Sequence, residues 1–221
     1  MKSKFLSLAL AAVMLITTAL KSQASDFDVS NLTETIQGAE TISGSNTVKQ
    51  IAQKFQTGTF ATPTSVWLVQ LYLSSFGSYN LANLSVQIRS DASGTPGASV
   101  GSLAGTGLIS SGGIYDFTNL ASPVSLVSNT IYWLVIKNNV AGTGANNINW
   151  AYGDTTSPSL GVNGLVTPVS SVNTGSTWNT FPTSPQLLRI TNVPEPSTYA
   201  LGGICALSIG LIARRRKVAT V

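Results

Sequence analysis

The chain has 221 residues with few charged side chains and no histidine. Without histidine, a Ser-His-Asp triad, a Cys-His pair and a histidine-ligated zinc site are excluded. The net charge of +4 suggests a basic protein, but seven of the twelve basic residues lie in two terminal segments: Lys2, Lys4, Lys21, Arg214, Arg215, Arg216 and Lys217. The body between them has more acidic than basic residues and lacks the cationic surface that nucleic acid binding requires. We therefore predict no nucleic-acid partner.

Residues 1–24 have the features of a secretory signal peptide. Lys2 and Lys4 precede an apolar run from Phe5 to Leu20, and small residues stand before a cleavage point between Ala24 and Ser25. A basic start, a short apolar helix and a small-residue cleavage point are typical of an export signal. We expect the chain to use the Sec translocon and signal peptidase, which leaves Ser25 as the mature N-terminus. The alternatives are an uncleaved anchor and a buried core helix.

Residues 25–50 are predicted to form an arm or a first strand, and residues 51–192 one β-rich domain. In this domain, short runs rich in Val, Ile, Thr and aromatic residues alternate with turn residues. The strongest candidate strands are Thr64–Ser75, 83–90, Thr130–Asn138, 147–153 and 186–193. No stretch of the domain has a helical stripe, and the only cysteine, Cys205, lies outside it. The predicted fold class is all-β: an antiparallel, jelly-roll-like β-sandwich.

The alternation also predicts which residues face the core. One face of Thr64–Ser75 carries Trp67, Val69, Leu71 and Leu73, and the other carries Val66, Leu68, Gln70 and Tyr72. Leu84, Val86 and Ile88 are expected to point inward. The segment Thr130–Asn138 is almost continuously apolar, which is typical of a central strand covered on both faces.

Five segments of the domain occur in a familiar order: "AQKFQTG" (52–58), "VQIRSDASGTPGASVGSL" (86–103), "YDF" (115–117), "LVSNTIYWLVIKN" (126–138) and "WAYG" (150–153). Over residues 50–189 the chain resembles the choice-of-anchor R domain, a β-rich surface domain that occurs with varying C-terminal anchors. The resemblance implies a surface-exposed domain of unassigned biochemical role. It carries over no catalytic residue.

Carboxylates are the remaining candidates for catalysis. A glycosidase needs two of them across a cleft, and Asp91, Asp116 and Asp154 lie in or beside candidate strands. Their positions are more typical of turns and strand ends, so we predict that the protein is not an enzyme. The segment "RSDASGTPGAS" offers one carboxylate, too few for calcium. We predict no metal and no cofactor.

Aromatic residues supply the candidate binding surface. Trp67 and Trp133 are flanked by aliphatic residues and are expected in the core. Trp150, Tyr152 and Trp178 lie near polar loops and are expected to be more exposed. They are candidates for stacking against sugars, which makes exopolysaccharide a candidate partner.

Residues 193–217 combine three features in a fixed order. Pro194, Glu195 and Pro196 cannot continue a helix. Ser197–Ala213 is free of charge and about 25 Å long as a helix, the lower limit for crossing a membrane. Arg214, Arg215, Arg216 and Lys217 follow and would stop transfer on the cytoplasmic side. Residues 218–221 form a short tail, and a permanent single-span anchor is the alternative.

The order of these features resembles the PEP-CTERM sorting signal of Gram-negative bacteria that make exopolysaccharide. The resemblance implies that a membrane-embedded exosortase recognises Pro194, Glu195 and Pro196, removes the tail, and passes the protein from the inner membrane to the cell surface or matrix. We therefore expect a non-catalytic structural protein of the surface, matrix or biofilm. A glycan-binding or adhesive module is the alternative, and a carboxylate-based hydrolase a more distant one.

Overall fold

A computed structural model of the chain describes residues 28–42, 50–59, 63–75, 77–118, 122–140, 147–153, 165–172, 177–180 and 185–192. These residues belong to one compact unit, Asp26–Asn192. Several predicted features lie outside the described residues: Ala24 and Ser25, Asp154, Pro194, Glu195, Pro196, Arg214, Arg215, Arg216 and Lys217. The predicted signal helix and tail span also lie outside them. Within the described residues, no helix has the length and apolar character needed to span a membrane.

The described residues form sixteen strands and one short 3-10 helix, Leu81–Asn83. The strands are β1 (Asp28–Ser30), β2 (Ile36–Ile42), β3 (Gln50–Gln56), β4 (Thr64–Val66), β5 (Leu68–Ser75), β6 (Tyr79–Asn80), β7 (Leu84–Asp91), β8 (Pro96–Gly105), β9 (Leu108–Ile109), β10 (Gly113–Thr118), β11 (Val124–Leu126), β12 (Ile131–Asn138), β13 (Ile148–Gly153), β14 (Leu165–Val172), β15 (Thr177–Thr180) and β16 (Leu188–Thr191). The described pairings are antiparallel, which confirms the predicted all-β class.

Twelve of the strands belong to one sheet with the order β1-β16-β5-β10-β8-β7-β12-β3-β14-β15, from which β13 and β2 branch at β5. The ten-residue strand β8 pairs with β10 on one side and β7 on the other. It therefore carries the sheet from one layer to the next. The result is a nearly closed, barrel-like sheet rather than the two separate sheets of the predicted sandwich. We call β7, β12, β3, β14 and β15 the first layer, and β10, β5, β16, β1, β13 and β2 the second.

The main core lies between the two layers. Leu84, Val86 and Ile88 of β7 are buried in it, as predicted. Strand β12 pairs with both β7 and β3 and is buried on both faces, which confirms it as a central strand. Burial of this apolar surface is the main stabilising contribution, at about 25 cal/mol per Å².

The predicted strand Thr64–Ser75 is two strands. Strand β4 pairs with β11, whereas β5 pairs with β10, β13 and β16. The two strands are separated at Trp67, which belongs to neither. The break reverses the alternation, because Val66 and Val69 are both buried although they are three residues apart. The predicted alternation was therefore wrong at this point, since Val66 and Val69 were assigned to opposite faces and both lie in the core. The predicted core position of Trp67 was also wrong, because Trp67 is only half-buried.

Residues before Gln50 contribute two strands. Strand β1 pairs with β16, and β2 pairs with β13. Val29 and Ile42 are fully buried in the main core. These residues are therefore part of the folded body rather than a loosely held arm.

Tyr79 gives the domain a predicted sensitivity to high pH. Its buried hydroxyl donates to Asn138 Oδ1 at 2.6 Å, and burial raises the pKa of Tyr79 from 10.0 to about 12. An unfolded tyrosine loses its proton near pH 10. The stabilising effect is therefore complete below about pH 10 and is lost as the pH rises to about 12.

We expect Tyr79→Phe to remove this pH dependence. Between about pH 10 and 12 the unfolding free energy of the wild type should fall by up to about 1.4 kcal/mol per pH unit more than that of Tyr79→Phe. Urea unfolding from pH 9 to 12 measures the difference. Tyr115→Phe is the control, since the Tyr115 hydroxyl bonds to Ser111 O in an exposed position. Parallel curves for wild type and Tyr79→Phe would contradict the prediction.

Candidate functional site

Trp150, the first of the three candidate stacking residues, is buried. Its side chain is 0% exposed in the main core, and Nε1 donates to Leu187 O at 2.9 Å. Its neighbours on the same face of β13 are Ile148, also fully buried, and Tyr152. The expected exposure of Trp150 was wrong, and a fully buried indole cannot stack on a sugar. The nearby polar residues of the sequence suggested a loop, but they flank a strand whose alternation places Trp150 inward.

Tyr152 and Trp178 lie in different layers. Tyr152 is half-buried, and its ring lies against Gly38 of β2, where a Cβ atom would overlap the phenol. Trp178 is half-buried on the outer side of the first layer. The structure therefore does not bring the three predicted aromatic residues together. Trp178 is the one that lies on an outer face.

Trp178 belongs to a second apolar cluster on the outside of the first layer. It packs against Ala52, Trp133 and Val135, all three of which are almost completely buried. Trp133 is therefore buried as predicted, but in this outer cluster rather than in the main core. Its Nε1 donates to Asp91 Oδ1 at 2.7 Å.

Three cationic side chains lie on the same outer face as Trp133. In register, Trp133 stands between Arg89 of β7 and Lys54 of β3. Lys54 Nζ lies 5.6 Å from the centroid of the Trp133 ring, close enough for a cation–π interaction. Lys137 is four residues further along β12 and points the same way, since side chains of one strand alternate between faces. We call Lys54, Arg89, Lys137, Trp133 and Trp178 the Trp133 face.

The sequence alone does not single out this set of residues as a site. Each cation occupies an outward position of a candidate strand, which the alternation could have shown. Their proximity depends on the order β7-β12-β3 and on its register, which long-range pairing sets. Arg189, the other described cation of the body, lies in the second layer and pairs with Asp28 at 2.9 Å. The hydrogen bond to Asp28 is the main reason that the pKa of Arg189 is raised.

Asp91 and Asp116, the candidate catalytic carboxylates that the structure describes, lie in different layers, in β7 and β10. Asp91 accepts from Trp133 Nε1 with one oxygen and from Gly94 N, at 3.1 Å, with the other. Asp116 lies on the outer side of the second layer and accepts from Gln70 Nε2 at 2.9 Å. The carboxylate of Asp91 therefore stabilises the turn that contains Gly94 and fixes the position of the Trp133 indole. Among the described residues, no group of three His, Cys, Asp or Glu side chains could hold a metal.

The segment before the predicted sorting motif is held by buried polar groups. Asn31 Nδ2 donates to Gln186 O at 3.1 Å, and Asn31 Oδ1 accepts from Leu188 N at 2.8 Å. Gln53 Oε1 accepts from Gln186 N at 3.0 Å. Since Asn31 follows a strand of the second layer and Gln53 lies in the first, these bonds fix residues 186–188 from both layers.

This segment leads directly into β16, which is an inner strand paired with β1 and β5. After Thr191, the Nδ2 atom of Asn192 donates to Thr64 Oγ1 at 3.2 Å. Asn192, the residue that precedes Val193-Pro194, is thus bonded to the folded body. Only a few residues of sequence separate the last strand from Pro194.

Comparison with known proteins identifies the C-terminal segment. A model of the PEP-CTERM protein-sorting motif matches residues 192–217, so the motif begins at the residue after β16. No match to a curated protein was found for the chain. The match confirms the predicted sorting motif. It indicates a protein that is exported toward the cell surface and processed by an exosortase.

Proposed function

We propose that the chain is a non-catalytic structural protein of the cell surface or extracellular matrix. A signal peptide directs its export, and an exosortase removes the tail that follows Pro194-Glu195-Pro196. The observation that carries the proposal is the sorting motif at 192–217, placed directly after a folded β body. The released product would be that body, from Ser25 to a C-terminus near Pro196, in the matrix or biofilm of a Gram-negative cell.

The body's chemistry supports a structural role. The sequence has no histidine, and both oxygens of Asp91 bond to other parts of the domain. The resemblance of residues 50–189 to the choice-of-anchor R domain also fits a surface module. A role in retaining exopolysaccharide fits this location.

The proposal is tested on the full-length protein produced in its native host, with and without the exosortase. We expect the intact mass of the surface fraction to correspond to a chain from Ser25 to about Pro196. Without the exosortase, the chain should end at Val221 and remain in the inner membrane. An intact C-terminus in the exosortase-containing host would instead identify a permanent single-span anchor.

Substitution of the motif tests whether its residues are required for processing. Replacing Pro194, Glu195 and Pro196 by alanine should abolish processing and leave the chain in the membrane fraction. Pro123→Ala, at an exposed position of the body, is the matched control and should be processed normally. Normal processing of the triple variant would show that recognition does not use these residues.

A further inference from the structure

The described cationic residues of the body are unevenly distributed between its two layers. Three of the four described cations, Lys54, Arg89 and Lys137, lie on the Trp133 face. Asp91 is the described carboxylate on this face, and both of its oxygens already accept hydrogen bonds. A body whose acidic residues outnumber its basic ones therefore presents one locally cationic surface. Such a surface attracts anions even when the whole molecule does not.

The cations on this face retain donors for a ligand. Arg89 donates Nε and Nη2 to Gln87 Oε1 at 3.0 and 2.7 Å, which orients the guanidinium and leaves three of its five N–H groups. No described carboxylate forms an ion pair with Lys54, Arg89 or Lys137. The ammonium of Lys54 is positioned by the ring of Trp133. Lys54 and Arg89 are therefore oriented by neutral partners, Trp133 and Gln87, which leave their charges unneutralised.

The spacing of the three cations suits a long polymeric ligand with widely spaced charges. Arg89 and Lys54 lie one strand to either side of Trp133, so their backbones are about 10 Å apart. Lys137 lies about 13 Å along β12 from Trp133. A sheet face with widely spaced single cations can contact an extended polymer that carries an acidic group on each repeat. Duplex DNA needs many more phosphate contacts to bind well.

We propose that the Trp133 face binds an acidic polysaccharide. Carboxylate groups of the polymer bind Lys54, Arg89 and Lys137, and a sugar ring lies against the exposed part of Trp178. This deepens the proposed surface function and rests on it, because export brings the face into contact with extracellular polymers. The protein would then be retained in a matrix by charge as well as by entanglement.

The test uses the mature protein recovered from its host and polygalacturonate as the acidic probe. Dextran is the neutral control, and duplex DNA tests the other class of polyanion. Affinity electrophoresis gives the dissociation constants at about 50 and 200 mM NaCl, since screening weakens exposed charge pairs. We expect binding to polygalacturonate that weakens with salt, and much weaker binding to dextran and DNA.

Substitutions in the Trp133 face test whether its residues bind the polymer. Lys54→Gln, Arg89→Gln and Lys137→Gln should each weaken polygalacturonate binding about two- to fivefold, and the triple variant should weaken it by roughly their product. Trp178→Ala should weaken it about two- to tenfold. Lys137→Arg keeps the charge and should bind as the wild type does. Arg189→Gln removes one charge from the other layer and should also leave binding unchanged. Circular dichroism confirms the fold of each variant.

The binding measurements either support or overturn the proposal that the Trp133 face binds an acidic polysaccharide. Weaker polygalacturonate binding by Lys54→Gln, Arg89→Gln and Lys137→Gln, with wild-type binding by Lys137→Arg and Arg189→Gln, supports it. Failure of the wild type to bind polygalacturonate, or equal binding to dextran, overturns it, as does tighter binding to DNA. Equal weakening by Arg189→Gln would show that overall charge acts instead of the face. Processing is measured separately, so a correctly processed protein that binds no acidic polymer refutes this inference alone.

Discussion

Trp150→Ala should lower the unfolding free energy by about 3–5 kcal/mol, the range for removing a large aromatic residue from a core. Trp150 is 0% exposed and packs between the layers near Ile148. The substitution removes apolar contacts and also the hydrogen bond from Nε1 to Leu187 O. Leu187 O keeps the backbone bond from Tyr72 N at 3.3 Å, so packing accounts for most of the loss.

Two further variants separate stability from binding. Trp150→Phe keeps much of the apolar volume and should cost about 1–2 kcal/mol through the lost hydrogen bond and the smaller ring. Trp178→Ala removes an indole of which part is exposed and should cost less than Trp150→Ala. Urea unfolding of the mature protein measures all three. A Trp150→Ala protein of wild-type stability that has lost affinity for glycans would contradict the buried position.

The local pattern of apolar and polar residues was sufficient to predict which residues of a regular strand face the core. It also predicted that β12 is covered on both faces. Leu84, Val86 and Ile88 follow a strict alternation through β7, and the continuous apolar run of β12 matches a strand covered on both faces. These features depend on each residue's neighbours along the chain. Period-two alternation reports such features directly.

Features that depend on long-range pairing were not predictable. The break at Trp67 arises because β4 and β5 pair with different partners, and nothing in the local alternation marks it. The cations of the Trp133 face come from three strands that are far apart in sequence, so their proximity required the strand order. Sheet register similarly determines that β8 joins both layers. Such pairings are specified by the tertiary fold and not by local preference.

Asn31→Ala should lower the unfolding free energy by about 2–5 kcal/mol, although it removes only a small polar side chain. The Asn31 amide serves two buried backbone groups, Leu188 N and Gln186 O. Without the amide, neither group has this partner, and an unsatisfied buried group costs about 1–3 kcal/mol. Asn179→Ala, at an exposed position of β15, is the matched control and should change stability by less than about 0.5 kcal/mol. Urea unfolding of the two mature proteins gives the comparison.

The position of Asn31 gives this substitution a consequence for export. Its two bonds hold the residues that lead into β16, the last strand before the matched sorting motif. A loss of a few kcal/mol raises the population of unfolded chains that proteases can degrade. We therefore expect less Asn31→Ala protein than Asn179→Ala protein at the cell surface, while the molecules that do arrive have the same processed C-terminus. A full surface yield together with wild-type stability would show that these buried bonds do not hold the end of the domain.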